Sequence, residues 1–315
     1  MKEKTIKAVM IGHAVGDALG LPVEFSERSW LKDNPVTDMM GYKCYPFPAG
    51  FWSDDTSMSL ATLDSLIGGK VDYEEIMKNF VGWLFHNQYT PGGETFDVGM
   101  TCQIAISNYK NRAYKDLFDC GLRDEQSNGN GSLMRIHPIS LYLYYTKKED
   151  IRKNIDTIHR VSALTHAHHR AEIACGIYSF VLWEILEAPT MQSVEIGLRK
   201  GKEYYDSHPE LKHFNRLFED IGKIETTFLD KDIKSSGYVV DTLEASIWCL
   251  LTTQNYKECV LKAVNLGGDT DTIAAISGGL AGALYEYDSI PQEWRNKIAR
   301  EKYIHKLCES AAKSW

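Results

Sequence analysis

No uninterrupted apolar run in this chain is long enough to cross a membrane. The longest, IACGIYSFVLW (Ile173–Trp183), has 11 residues, against the roughly 20 that a span needs. Such a run suits a buried central helix. Basic residues are not in excess: 35 Lys and Arg face 43 Asp and Glu, for a formal charge of −8. That balance excludes unspecific attachment to nucleic acid or an anionic membrane as a main role. It leaves room for a small anionic ligand at a locally positive or metal-bearing site. No C-x-x-C pair occurs, and the cysteines number seven, an odd count. They read as reduced cytosolic thiols, not as a disulfide framework, and point to a cytoplasmic protein. Alternating strand runs are missing, as are Asn-Gly hairpins apart from Asn128–Gly131. No Pro- or Ser-rich linker divides the chain, so one domain over residues 1–315 is expected. The start, MKEKTIKAVMIGHAVGDALGL, imitates a signal peptide, but His13 and Asp17 interrupt it, and it reads as a helix of the fold.

What is present is helical periodicity. Asp72–Phe85 opens with a D-x-x-E capping signature, Asp72 and Glu75, followed by Ile76, Phe80, Trp83 and Leu84 on one face. Asp150–His166 repeats Ile151, Ile155, Ile158 and Val161 at three- and four-residue steps. Ala171–Leu186 is apolar nearly all round, and Leu243–Leu251 and Tyr256–Val264 continue the pattern. Pro291 stands where the first residue of a helix over Gln292–Ala299 would be. With 43% apolar residues to bury, the expectation is an all-α domain, a single orthogonal helical bundle, with loop insertions at Thr90–Asp97 and Ser207–Ser236. Gly12, Gly16 and Gly20 share one helix face, and Gly278, Gly279 and Gly282 form a similar seam late in the chain. A glycine inside a helix costs about 1 kcal/mol relative to alanine. The return is close backbone approach, so these two helices are expected at the centre.

Carboxylates gather at two helix starts. NLGGDTDTIAAISGGLAG (Asn265–Gly282) carries Asp269, Asp271 and Thr272 at a glycine turn. On a helix those two acids would diverge; in a turn both can aim at one point. FWSDDTSMSLATLDSL (Phe51–Leu66) carries Ser53, Asp54 and Asp55. Either cluster alone could be a helix cap. Together they read as halves of one oxygen-only site suited to a hard cation such as Mg²⁺, Mn²⁺ or Ca²⁺, not zinc. Two like charges near 4 Å repel by ~1 kcal/mol in water and ~4 kcal/mol at an effective dielectric of about 20; divalent cations reverse that sign. Further candidates are Glu24 at the end of GDALGLPVEF, Asp97 in ETFDVGMTC, the GNGSLMR turn (Gly129–Arg135), whose backbone could cradle a phosphate, and His166, His168 and His169 in LTHAHHRAEIAC. The last spacing is not that of a zinc protease.

In this order, GDALGLPVEF, SDDT, FDVGMT, GNGSLMR, LTH and GGDTDT resemble the ADP-ribosylglycohydrolase family over most of the chain. The resemblance implies an all-α bundle around a central cleft with two divalent cations, Mg²⁺ or Mn²⁺. It implies hydrolysis between the anomeric carbon of ADP-ribose and its acceptor. Carried over by motif, the metal ligands are Ser53, Asp54, Asp55, Asp269, Asp271 and Thr272. Glu24 or Asp97 is the catalytic acid/base, with Glu24 favoured because its motif is intact; Asp97 is otherwise implied to orient the substrate. Gly129, Asn130, Gly131 and Ser132 meet the diphosphate, and His166 lies against the nucleotide. Ser53 stands where threonine is commoner, and Met100 and Cys102 stand where polar residues are more usual. The implied substrate is an ADP-ribosylated protein, arginine-linked first, or a small molecule; a DNA acceptor ranks below these. Two other readings stay open: a different metal-dependent nucleotide or phosphate hydrolase, and a non-catalytic ADP-ribose-binding protein.

Overall fold

The computed structural model describes residues 1–147, 150–221 and 232–315. Among them regular structure is helical; backbone pairing between strands is limited to two isolated bridges, Leu122 with His166 and Gly129 with Tyr238. The longer helices are α1 (Lys2–Gly20), α2 (Asp54–Leu66), α3 (Tyr73–His86), α4 (Met100–Lys110), α5 (His137–Lys147), α6 (Ile155–Ala163), α7 (His169–Glu187), α8 (Met191–Asp206), α9 (Val239–Leu251), α10 (Tyr256–Val264), α11 (Thr270–Tyr285) and α12 (Glu301–Ser314).

Helices α1 and α11 form the centre, as the glycine seams predict. A side chain on Gly16 would meet the Ala274 carbonyl, one on Gly12 the Gly278 carbonyl, and one on Gly282 the Ala8 carbonyl. Tyr256 of α10 seals the crossing by donating to the Gly12 carbonyl at 2.7 Å. Thr270 ties the start of α11 to the end of α1 through the Gly20 carbonyl at 2.9 Å. Helix α1 with its following turn is apolar enough by length and composition to span a membrane, yet 94% of that window is buried inside the protein. Its lack of a polar face comes from its central position.

Local rules explain most boundaries. Asp72 caps α3 by accepting from Glu75 N, and Asn255 caps α10 in the same way. Asp150–His166 is not one helix. A single turn at Ile151–Lys153, capped by Asp150, ends at Asn154, and α6 then stops at Ala163. The Thr165–Ala167 backbone is instead taken by Leu122, whose N–H reaches Thr165 O while its carbonyl receives Ala167 N. Pro291 stands one position earlier than expected, at the cap of Gln292–Lys297. Thr90–Asp97 is irregular, as expected. In the other expected insertion, Ser207–Ser236, residues 209–215 form a short helix, and residues 222–231 lie outside the described residues.

Candidate functional site: an acidic cleft at the meeting of helix starts

Helix α2 begins at the acids. Ser53 is its cap, accepting from Asp55 N at 3.3 Å and donating to Asp55 Oδ2 at 3.1 Å. Its first turn is held from outside by Asp17 of α1, which accepts from Ser53 N at 2.9 Å, Thr56 N at 3.1 Å and Thr56 Oγ1 at 2.7 Å. Asp17 is fully buried. A carboxylate there satisfies N–H groups that every helix start leaves unpaired.

Helix α11 begins differently. Gly267 and Gly268 both adopt positive φ, +72° and +71°, so a Cβ at either would be strained. The turn they make pairs with the segment after α1: Phe25 N donates to Gly268 O at 2.7 Å and Gly268 N to Ser26 O at 2.9 Å. Glu24 is thereby fixed beside Asp269 and Asp271. Asp269 makes no side-chain cap bond to its own helix. Its carboxylate accepts from Asn130 Nδ2 at 2.7 Å, and the same amide donates to Thr242 Oγ1 at 3.0 Å.

The two acid clusters meet. Thr272 Oγ1 donates to Asp55 Oδ2 at 3.2 Å across 217 residues of sequence. Above this floor opens a cavity of about 220 Å³ lined by Glu24, Asp54, Asp97, Asp269 and Asp271, with Gly129, Asn130, Gly131 and His166 on another side. Oxygens of Glu24, Asp97 and Asp271 lie within 4.8 Å of one another. Tyr45, on the loop before α2, places its hydroxyl 2.8 Å from Glu24 Oε2 and 3.1 Å from Asp97 Oδ1. Asp97 sits at φ +53°, a conformation costing a non-glycine residue ~1–2 kcal/mol. The neighbouring Phe96 ring is held in an aromatic cluster with Phe47 and Tyr45, at centroid separations of 4.5 and 5.5 Å.

Charge in this cleft is held at a cost. Burial, then the nearby Asp97, pushes Glu24 up to about 8. Burial raises Asp17 to about 7. Asp54, Asp55 and Asp271 all lie well above the usual carboxylate range, through burial first and through the charge of neighbouring acids second. Asp55 Oδ1 and Asp271 Oδ1 are buried without a hydrogen-bond partner. Unpaired buried oxygens are costly, and here they belong to acids from the two halves. A donor set of carboxylates and hydroxyls, with free inward lone pairs, fits a hard divalent cation.

Two expected ligand contacts are arranged otherwise. Ser132 is fully buried; its hydroxyl lies 2.8 Å from Ser162 Oγ and 3.5 Å from Cys175 Sγ. It faces the core because the chain after Gly131 turns inward to α5. Asn130 lines the cleft, but its amide nitrogen is committed to Asp269 and Thr242. His168 caps α7 by accepting from Arg170 N, and His169 pairs with Glu172 at 2.8 Å; both serve the helix. Sequence reasoning missed Asp17 and Tyr45. A carboxylate inside the apolar run of α1 was a signal for the first. Nothing in KCYPFP marked the second.

The profile of the ADP-ribosylglycohydrolase family matches residues 2–315. The chain belongs to that family. It is 30% identical over 96% of its length to an ADP-ribosylarginine hydrolase of Serratia proteamaculans, covering 77% of that protein. It is 31% identical over 91% of its length to an ADP-ribosyl-[dinitrogen reductase] glycohydrolase of Rhodospirillum rubrum, covering 88% of it. A solved ADP-ribosylglycohydrolase-related protein complex superposes with a TM-score of 0.79 at 25% identity, over 99% of this chain and 98% of that one. Members of this family are enzymes, so the acidic cleft is a candidate catalytic centre.

Proposed function

We propose that this chain, acting as a single domain, hydrolyses the bond between the anomeric carbon of ADP-ribose and an acceptor nitrogen, with an arginine guanidinium on a protein as first choice. The observation that carries this reading is the Thr272–Asp55 contact, which joins acids from opposite ends of the sequence beneath Glu24 and Asp97. The arginine linkage draws on the activity named for relatives about 30% identical. Seven cysteines, none of them in a disulfide, support a reducing, cytoplasmic setting.

Ser53, Asp54, Asp55, Asp269, Asp271 and Thr272 are the proposed holders of two divalent cations, Mg²⁺ or Mn²⁺. Bound there, cations would neutralise the clustered carboxylates and act as Lewis acids toward ligand oxygens. The chain's own residues then divide the proton work. Glu24, whose carboxyl burial pushes upward, is the proton donor in this scheme: it protonates the leaving guanidine nitrogen as the C–N bond breaks and the nitrogen takes the electron pair. Asp97 accepts a proton from the water that attacks the anomeric carbon, which leaves ADP-ribose and free arginine. Tyr45 holds both carboxyls in place. Gly129, Gly131 and His166 are the proposed nucleotide contacts. Asn130 acts chiefly by orienting Asp269, and Ser132 is left with its backbone alone.

The deciding experiment incubates the protein with an arginine-ADP-ribosylated protein in the presence of Mg²⁺ or Mn²⁺ and measures free ADP-ribose. Release that stops on chelation is the expected result. Release of inorganic phosphate, or tight ADP-ribose binding with no turnover, would overturn it.

A further inference from the structure

Beneath the nucleotide side of the cleft lies a charge that the hydrolytic scheme does not use. Arg135 is fully buried. Among the described residues no carboxylate pairs with it: its guanidinium donates to Val161 O at 3.3 Å and Thr165 Oγ1 at 2.7 Å, and stacks over the Phe80 ring at 4.6 Å. Its Nε has no partner. A buried cation without a counter-charge costs several kcal/mol, so its place beneath the cleft calls for a role.

The role follows from counting protons. Arginine only donates, so Thr165 Oγ1 accepts from Arg135. Thr165 then has one proton to give, and His166 Nδ1 stands 2.8 Å away. Burial holds His166 neutral, with a pKa lowered to about 3. A neutral imidazole whose Nδ1 accepts carries its proton on Nε2. In the competing arrangement His166 protonates Nδ1 and Thr165 turns its own proton to the nearby Cys102 sulfur. That trades a nitrogen acceptor for a weak sulfur one. The backbone that carries the ring is pinned as well: His166 N donates to Ser162 O at 2.9 Å, and Ser162 Oγ donates to His166 O at 3.0 Å. Nε2 faces the Gly129–Gly131 turn, where a Cβ on Gly131 would stand 3.4 Å from it.

We propose that Arg135, acting through Thr165, fixes His166 as a permanent Nε2–H donor that holds a phosphate oxygen of the substrate beside the Gly129–Gly131 turn. Arg135 and Thr165 are positioning residues; His166 makes the contact. The chain of donors polarises the imidazole N–H and supplies the anionic part of the substrate with an attractive group in a cleft dominated by carboxylates. The phosphate contact rests on reading the cleft as an ADP-ribose site. The tautomer does not.

The test has two arms, run on the full chain with Mg²⁺ present. Nitrogen NMR of isotope-labelled histidine, with the His166 signal assigned by its loss in His166→Gln, reads the tautomer directly. Calorimetry reads affinity for ADP-ribose, with adenosine as the phosphate-free probe. In the wild type His166 is expected as the Nε2–H tautomer. Arg135→Lys and the near-isosteric Thr165→Val are each expected to weaken ADP-ribose binding by about tenfold, the scale of one hydrogen bond to a charged group, while adenosine changes by less than about twofold. Thr165→Val is also expected to mix the tautomers. An Nδ1–H signal in the wild type, or a Thr165→Val protein with unchanged tautomer and ADP-ribose affinity, would overturn the proposal. No ADP-ribose binding by the wild type would instead sink the ADP-ribose reading and the phosphate contact with it, and the NMR arm would still decide the relay.

Discussion

Helices α2 and α11 both open with a pair of acids and a hydroxyl residue, yet their starts are built in opposite ways. At α2 the cap is local: Ser53 bonds Asp55 N, and Asp17 from α1 takes Ser53 N and Thr56 N. At α11 the leading acid, Asp269, makes no side-chain cap bond to its own helix and is held by Asn130, which lies 139 residues away in sequence. The first arrangement is a helix cap enlarged into a site. The second is a site that displaced a cap. Similar sequence signatures therefore conceal different debts to tertiary structure: the start of α2 leans on one neighbouring helix, whereas Asp269 depends on the Asn128–Gly131 turn, which must itself be docked against Tyr238 and Val239.

That contrast can be broken outright by removing an acid from each side. Asp55→Asn and Asp271→Asn are each expected to lower turnover by roughly a thousandfold, equivalent to several kcal/mol of lost cation-dependent stabilisation. Both should raise the melting temperature of the metal-free protein, because each removes a buried charge repelled by its neighbours. A metal-free variant that melts lower would contradict the electrostatic account.

The pH response probes the two sides together. Carboxyls whose folded pKa lies above the unfolded value keep protons that the unfolded chain has already released. Stability then falls as pH rises through that window. For Asp17 the window runs from 3.8 to about 7, and for Glu24 from 4.5 to about 8. Thermal melts of chelated protein between pH values of about 4 and 8 should therefore decline with rising pH, and added Mg²⁺ or Mn²⁺ should flatten the slope. An upward slope without metal would mean that the folded protein holds these acids ionised, and would refute the upward shifts of Asp17 and Glu24.

The supports come next in size. Asp17→Asn removes an acceptor of three donors at α2, and Asn130→Ala frees Asp269 at α11. Each is expected to reduce metal affinity by about 10- to 100-fold, as outer partners of a ligand set do. The comparison predicts that only Asp17→Asn also lowers stability markedly, by about 1–3 kcal/mol for orphaned buried N–H groups. Equal destabilisation would erase the distinction between the two starts. Tyr45→Phe should lower kcat by roughly tenfold with little change in KM. The smallest effect is expected of Ser53→Thr, which keeps both the cap and the oxygen and should leave activity within about twofold.

Much of this architecture was legible from the chain alone. The central helices announced themselves by glycine spacing, because only a missing Cβ lets the backbones of α1 and α11 approach as Gly16 and Ala274 do. The acid clusters and Glu24 could be picked out because carboxylates at helix starts are chemically conspicuous. The break at Asn154 and the early end of α6 were not legible, since Leu122 takes the backbone after α6 from another segment. Tyr45 was invisible because an aromatic in a loop carries no periodic signal. The inward turn of Ser132 was equally hidden, because a hydroxyl beside a glycine turn looks the same in sequence whether it faces ligand or core.

The sequence by itself determined that the chain is helical, which two helices can pack at the centre, and which residues carry the charge, because those are properties of local spacing and side-chain chemistry. Tertiary structure alone decided that Thr272 reaches Asp55, that Asn130 serves Asp269, and that a buried arginine stands behind His166. Those contacts join segments far apart along the chain, and their geometry exists only once the helices between them have packed.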